Sequence, residues 1–241
     1  MSDARVRTTV EVQLALGQSA LDRGDGRAAL EWFRAAARGG DARAFNMIGR
    51  CYERGWGVKP DPAMAADWFR RAAAMGDAWA MFNLADLYCR GHGVPADPEA
   101  AFGLYARSAR RGNAKALNML GLFREEGRFG PPDLKAAAEL FHAAAKGGDC
   151  WGAFNLGRLL AQAGETALAR GWFEKALAAG FPDFWRAMAA ALEESGMAEL
   201  APLARQARQR VAEAERRAGP HHRTPGTAGA PAVGPREPGG G

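Results

Sequence analysis

Four histidines, three cysteines and two pairs of adjacent glutamates are the residues of this chain best equipped for chemistry. To catalyse or to hold a metal they must be gathered: a nucleophile beside a base, or several N, S and O donors at close spacing. They are not gathered. His92, His142, His221 and His222 have no Cys, His or carboxylate partner at metal-ligand spacing, and the last two sit in a Gly/Pro-rich segment that reads as solvated. Gly91-His92-Gly93 is not a phosphate loop, because no strand precedes it. Glu125-Glu126 and Glu193-Glu194 fall on helical stretches, where sequence neighbours diverge by about 100° and cannot face each other as an acid–base pair. Cys51, Cys89 and Cys150 are odd in number and scattered, which argues against a disulfide framework and for small apolar fillers. The expectation is a chain that is not an enzyme, with no catalytic residue, no metal and no cofactor. A hydrolase, the enzymatic alternative, would need a nucleophile and base that cannot be placed.

Charge gives a second boundary. The 241 residues carry 32 basic and 27 acidic side chains, a net charge of +5. From Leu203 onward there are seven arginines against three glutamates, so almost all the excess lies at the C-terminus and the remainder is nearly neutral. A high isoelectric point here does not describe a basic nucleic-acid-binding body. Arg205, Arg208, Arg210, Arg216 and Arg217 offer the alternative, a basic helix that attaches the chain to nucleic acid or an anionic membrane surface. No run approaches the 18 apolar residues of a membrane span, and Met1–Val10 contains no apolar signal region, so a cytoplasmic location is expected.

The elements that position these residues are repeats. Asp41–Gly76, Asp77–Gly112 and Asn113–Gly148 follow one another without a gap at a period of 36. The first holds Cys51-Tyr52-x-x-Gly55-x-Gly57-Val58-x-x-Asp61 and then Trp68-Phe69-x-x-Ala72-Ala73. The second holds Leu87-Tyr88-x-x-Gly91-x-Gly93-Val94-x-x-Asp97 and then Leu104-Tyr105-x-x-Ser108-Ala109. Shorter units flank them: Leu16-Gly17, Gly24 and Trp32-Phe33 recur as Leu156-Gly157, Gly164 and Trp172-Phe173. A sixth, degenerate unit follows. A period of this size means a solenoid whose neighbouring repeats supply one another's core.

Each unit reads as helix A, loop, helix B. Helix A of the second unit is predicted over 42–54, with Phe45, Ile48 and Tyr52 at helical spacing and Gly55 as its stop; Asp61-Pro62 and Asp97-Pro98 restart the chain as helix B. Gly17, Gly49, Ala85, Gly121, Gly157 and Ala189 recur at one place on helix A and predict close packing of A against B. Trp32, Trp68 and Trp172 on helix B are expected in the core. The predicted organisation is a short N-terminal extension over 1–9, a solenoid over 10–217 and a disordered tail over 218–241, where seven glycines and five prolines occur. The solenoid units are 10–40, 41–76, 77–112, 113–148, 149–180 and 181–217.

These motifs resemble the Sel-one-like repeat family of the tetratricopeptide superfamily. Residues 41–112 match nearly throughout; in 113–148, Arg124 replaces the tyrosine and Phe129-Gly130 replaces Gly-Val. The resemblance implies an all-α fold, a right-handed α–α superhelical solenoid of about six helix pairs. It also implies an adaptor that binds a protein or peptide partner and assembles complexes, often in bacterial settings. Some relatives are secreted, cysteine-rich and bind penicillin-like compounds, so the resemblance also implies, as the lesser alternative, a hydrolase of cell-wall or β-lactam compounds; their cysteine pairing is missing here.

In that family helix A lines the concave face through its second, fifth, ninth, twelfth and thirteenth positions. Carried over, the face includes Arg43, Asn46 and Arg50 in the second unit and Trp79, Phe82 and Arg90 in the third. Asn118 follows in the fourth, and Trp151, Phe154 and Arg158 in the fifth. Aromatic residues and arginines are common interface anchors, and a paired amide such as Asn46 or Asn118 can hold a peptide backbone.

Overall fold

Aspartate or asparagine stands before eight successive helices, and each side chain accepts a hydrogen bond from the first turn it precedes: Asp25 from Ala28 N, Asp41 from Arg43 N, Asp61 from Met64 N, Asp77 from Ala80 N, Asp97 from Ala100 N, Asn113 from Lys115 N, Asp133 from Ala136 N and Asp149 from Gly152 N. Each such cap satisfies a backbone donor the helix cannot, typically worth about 1 kcal/mol. Gly55 and Gly91 end their helices in the left-handed region, at φ 74° and 62°, where a side chain would be strained.

The computed structural model describes residues 2–218. Among them are twelve α-helices and no strand. The first helices of the repeats are α1 (Ser2–Asp22), α3 (Ala42–Arg54), α5 (Ala78–Arg90), α7 (Ala114–Glu125) and α9 (Cys150–Gln162). Their partners are α2 (Gly26–Arg38), α4 (Pro62–Ala74), α6 (Pro98–Arg110), α8 (Leu134–Lys146) and α10 (Thr166–Ala179). Then come α11 (Pro182–Glu194), a 3₁₀ turn at Ala198–Leu200 and α12 (Ala201–Ala218). The α3 boundaries are those expected. Residues 2–9, set apart in the sequence as an extension, continue into α1; the tail, from 219 onward, lies outside the described residues.

The described residues divide into two compact units, 2–176 and 177–218. In the first, α1 packs on α2, α3 on α4, α5 on α6 and α7 on α8, and each second helix packs on the first helix of the following repeat as far as α9. This is the all-α repeat solenoid. In the second, α11 packs on α12.

The core is built from one aromatic per repeat. Phe33, Phe69, Tyr105, Phe141 and Phe173 are buried on the second helices. The four phenylalanines fit because the first helix opposite each is bare, while Tyr105 packs in one cluster with Ala85. A Cβ on Gly17, Gly49, Gly121 or Gly157 would stand 2.4, 2.6, 2.5 or 2.9 Å from the ring of Phe33, Phe69, Phe141 or Phe173. The tryptophans that precede these rings are a correction to the sequence reading. Trp32 is 38% exposed, and Trp68 and Trp172 are only half-buried. Adjacent residues of a helix cannot both point inward, and the smaller ring takes the core. Trp68 instead carries Arg71 over its face at 4.9 Å, and Trp172 carries Lys175 at 3.8 Å. Cys51 and Cys150 are buried fillers whose thiols are pushed up to about 12 by burial.

Candidate partner-binding face

The second position of successive first helices carries Arg43, Trp79, Lys115 and Trp151, alternating cation and indole. Trp79 is 50% exposed, meets Phe82 edge-on at 6.2 Å, and has the Lys115 ammonium 5.7 Å from its ring centre. Phe82 is half-buried and continues inward to Tyr105 at 5.6 Å. Trp151 repeats the edge-on arrangement with Phe154 at 6.2 Å, but it is half-buried and Phe154 is buried against Phe173 at 5.4 Å. Of the two aromatic pairs expected at the surface, the first presents a large exposed ring and the second belongs mostly to the core.

The asparagines also depart from expectation. Asn46 and Asn118 are buried, and each amide oxygen accepts from an asparagine of the next repeat: from Asn83 Nδ2 at 2.9 Å and from Asn155 Nδ2 at 2.8 Å. These bonds tie α3 to α5 and α7 to α9. Asn83 and Asn155 escaped the sequence reading, although their recurrence 37 residues after Asn46 and Asn118 was the available signal.

The arginines are mostly engaged. Arg43 bonds Asp41 and Glu11, which raises its pKa and lowers that of Asp41. Arg158 forks Glu125 at 2.7 and 2.6 Å. Arg90 lies 3.7 Å from Glu53 and 3.6 Å from Asp86. Arg50 lies over Trp56 at 5.0 Å, and burial lowers its pKa. Asp86 accepts from the Tyr105 hydroxyl at 2.5 Å; burial raises its pKa, with the hydrogen bond and Arg90 opposing. Tyrosine at 105, where other repeats have phenylalanine, was the sequence sign of this pair.

These side chains make a surface with one exposed aromatic anchor, a cation beside it and a rim of paired charges. No three His, Cys, Asp or Glu side chains converge to hold a metal among the described residues, and no helix there is long and apolar enough to cross a membrane. In the second compact unit, Arg208 forks Glu193, and Arg210 lies over Trp185 at 5.5 Å, so part of the basic helix is engaged locally.

The Sel1 repeat model matches residues 13–41, 42–77, 80–113, 114–149 and 153–181, well over half of the chain. The chain belongs to the Sel1 repeat family. Solved Sel1 structures agree in fold. A Sel1 repeat protein from Oxalobacter formigenes is 24% identical, with a TM-score of 0.69 over 87% of this chain and 88% of that one. A protective antigen of uropathogenic Escherichia coli with an SLR fold is 29% identical, with a TM-score of 0.63; the alignment covers 84% of this chain but 45% of the antigen. An immunity protein from Pseudomonas aeruginosa is 14% identical at a TM-score of 0.60, covering 87% and 81%. No curated protein matches the chain. Sel1 repeat proteins generally act as protein-interaction scaffolds, and the fold is typically non-catalytic.

Proposed function

We propose that this Sel1 repeat protein is a non-enzymatic adaptor that holds a segment of a protein partner against the row of first helices, centred on Trp79 and Lys115. The observation that carries this reading is the exposure of Trp79. A tryptophan half in water contributes less to the fold than a buried one and offers large area to a ligand. Phe82 supports the ring from behind, and Lys115 supplies a charge beside it for a carboxylate or backbone carbonyl. Arg43 and Arg158, already paired, shape the rim, while Asn46 and Asn118 hold the repeats in register beneath it.

The test is affinity capture from native lysate, read by mass spectrometry, with wild type and Trp79→Ala compared and circular dichroism confirming that both are helical. A protein retained by wild type and lost with Trp79→Ala supports the reading. Equal retention by both removes this face as the site.

A further inference from the structure

The loops that follow α3, α5 and α7 occupy equivalent places but do not make equivalent contacts. In the first two, a glycine with positive φ, Gly57 at 72° and Gly93 at 75°, presses against the first turn of the preceding repeat's second helix. A Cβ on Gly57 would stand 2.3 Å from Gly26 O, and one on Gly93 2.3 Å from Pro62 C. No side chain fits between these backbones. The third loop has Phe129 at that register, and its target by repetition is Pro98. Phe129 does not take a positive φ; Gly130 does, at 135°, and the Phe129 ring folds back onto Phe102 and Phe123, 5.2 and 5.7 Å between centres.

A Cβ on Gly130 would meet nothing within 4 Å, and a cleft of about 780 Å³ lies between this loop and residues 95–99. Tyr88, Pro95, Pro98 and Phe129 give it aromatic and proline walls, and Phe129 is 44% exposed. Its charge is negative. Asp97 and Glu99 lie along one side, and Glu99 has no ion-pair partner among the described residues. Arg128, opposite, is bonded to Glu126 and stacked 4.9 Å over Phe123. The cleft shares no residue with the Trp79–Lys115 row.

We propose that this cleft is a second docking site and that it takes an extended, proline-containing peptide segment carrying arginine. Charge decides the cation: a guanidinium reaches Glu99 and Asp97 while its stem covers Phe129. The walls decide the backbone. Flat aromatic and proline surfaces suit a polyproline II segment, which needs no backbone hydrogen bonds from its receptor and has little conformational freedom left to lose.

The test is fluorescence anisotropy of the full chain with a fluorescein-labelled probe, Ala-Pro-Pro-Arg-Pro-Pro-Arg-Pro-Pro-Ala, and its counterpart with glutamate in place of both arginines. The expected result is saturable binding of the arginine probe, at least about tenfold weaker binding of the glutamate probe, and weakening of about fivefold in Glu99→Gln and in Phe129→Gly. Trp79→Ala leaves the affinity unchanged, which separates this site from the helix face. No saturation below about 1 mM, equal affinity for both probes, or wild-type affinity in both cleft variants overturns the proposal. Glu99 is exposed, so its variant tests the site without disturbing the fold.

Discussion

Replacing Gly121 by alanine should destabilise the chain, although alanine is the better helix former. The added Cβ would stand 2.5, 2.6 and 3.1 Å from Cε1, Cδ1 and Cζ of Phe141. Carbon atoms in contact prefer about 3.5–4.0 Å, so the ring must retreat by about 1 Å. Phe141 is fully buried in a cluster with Ala137 and Leu156, and an interior at crystal-like density has little room to receive it. Overpacking of this kind costs about 1–3 kcal/mol, and the change from glycine to alanine returns about 1 kcal/mol of helix propensity. With the strain near the upper part of its range, the expected net loss is about 1–2 kcal/mol. Gly103, mid-helix in α6, is the internal control: it is exposed, and a Cβ added there would meet nothing within 4 Å. There only the propensity acts, and Gly103→Ala should gain about 1 kcal/mol. Urea unfolding followed by far-ultraviolet circular dichroism reads both. The midpoints should move in opposite directions; Gly121→Ala as stable as wild type would show that the ring yields freely and refute the packing argument.

Two further outcomes follow from the interior. Asn155→Ala strands the buried Asn118 oxygen and should cost about 1–3 kcal/mol, while the double change Asn118→Ala/Asn155→Ala should cost less than the sum of the singles; a double-mutant cycle with additive losses would deny the pairing. Asp86 has a raised carboxyl pKa in the fold, so its contribution to stability is fully present below the unfolded value near 3.8 and is lost as pH rises through the folded value. Asp86→Asn removes that penalty and should gain in stability relative to wild type as pH rises above the unfolded value, whereas a difference that does not change with pH would contradict it.

The Sel1 repeats were legible because their constraints are local and recur. A 36-residue period, an aspartate or asparagine ahead of eight successive helices and a small residue, glycine or alanine, opposite the core aromatics are properties of single units, and sequence alone carries them. The candidate site was legible only as a set of positions. Trp79 is exposed as expected, but Trp151, at the equivalent place, is half-buried, and Phe154 packs onto Phe173. Position in a repeat names the face, whereas exposure depends on the neighbouring helices.

What the sequence by itself determined is the architecture: helix pairs, their caps, their close-packed glycines and the family to which they belong. Tertiary structure alone decided how the polar groups are spent. Asn46 and Asn118 are matched with Asn83 and Asn155, Arg158 with Glu125, and Asp86 with Tyr105, because stacking brings side chains 19 to 37 residues apart within hydrogen-bond reach. The cleft beside Phe129 has the same origin. Its sequence sign is a single substitution for glycine, but a gap exists only once the loop turns its ring onto the middle of the neighbouring repeat's helix and leaves the first turn uncovered. Backbone conformation is set by near neighbours and can be read along the chain; the partners of a side chain are set by whatever the fold brings beside it.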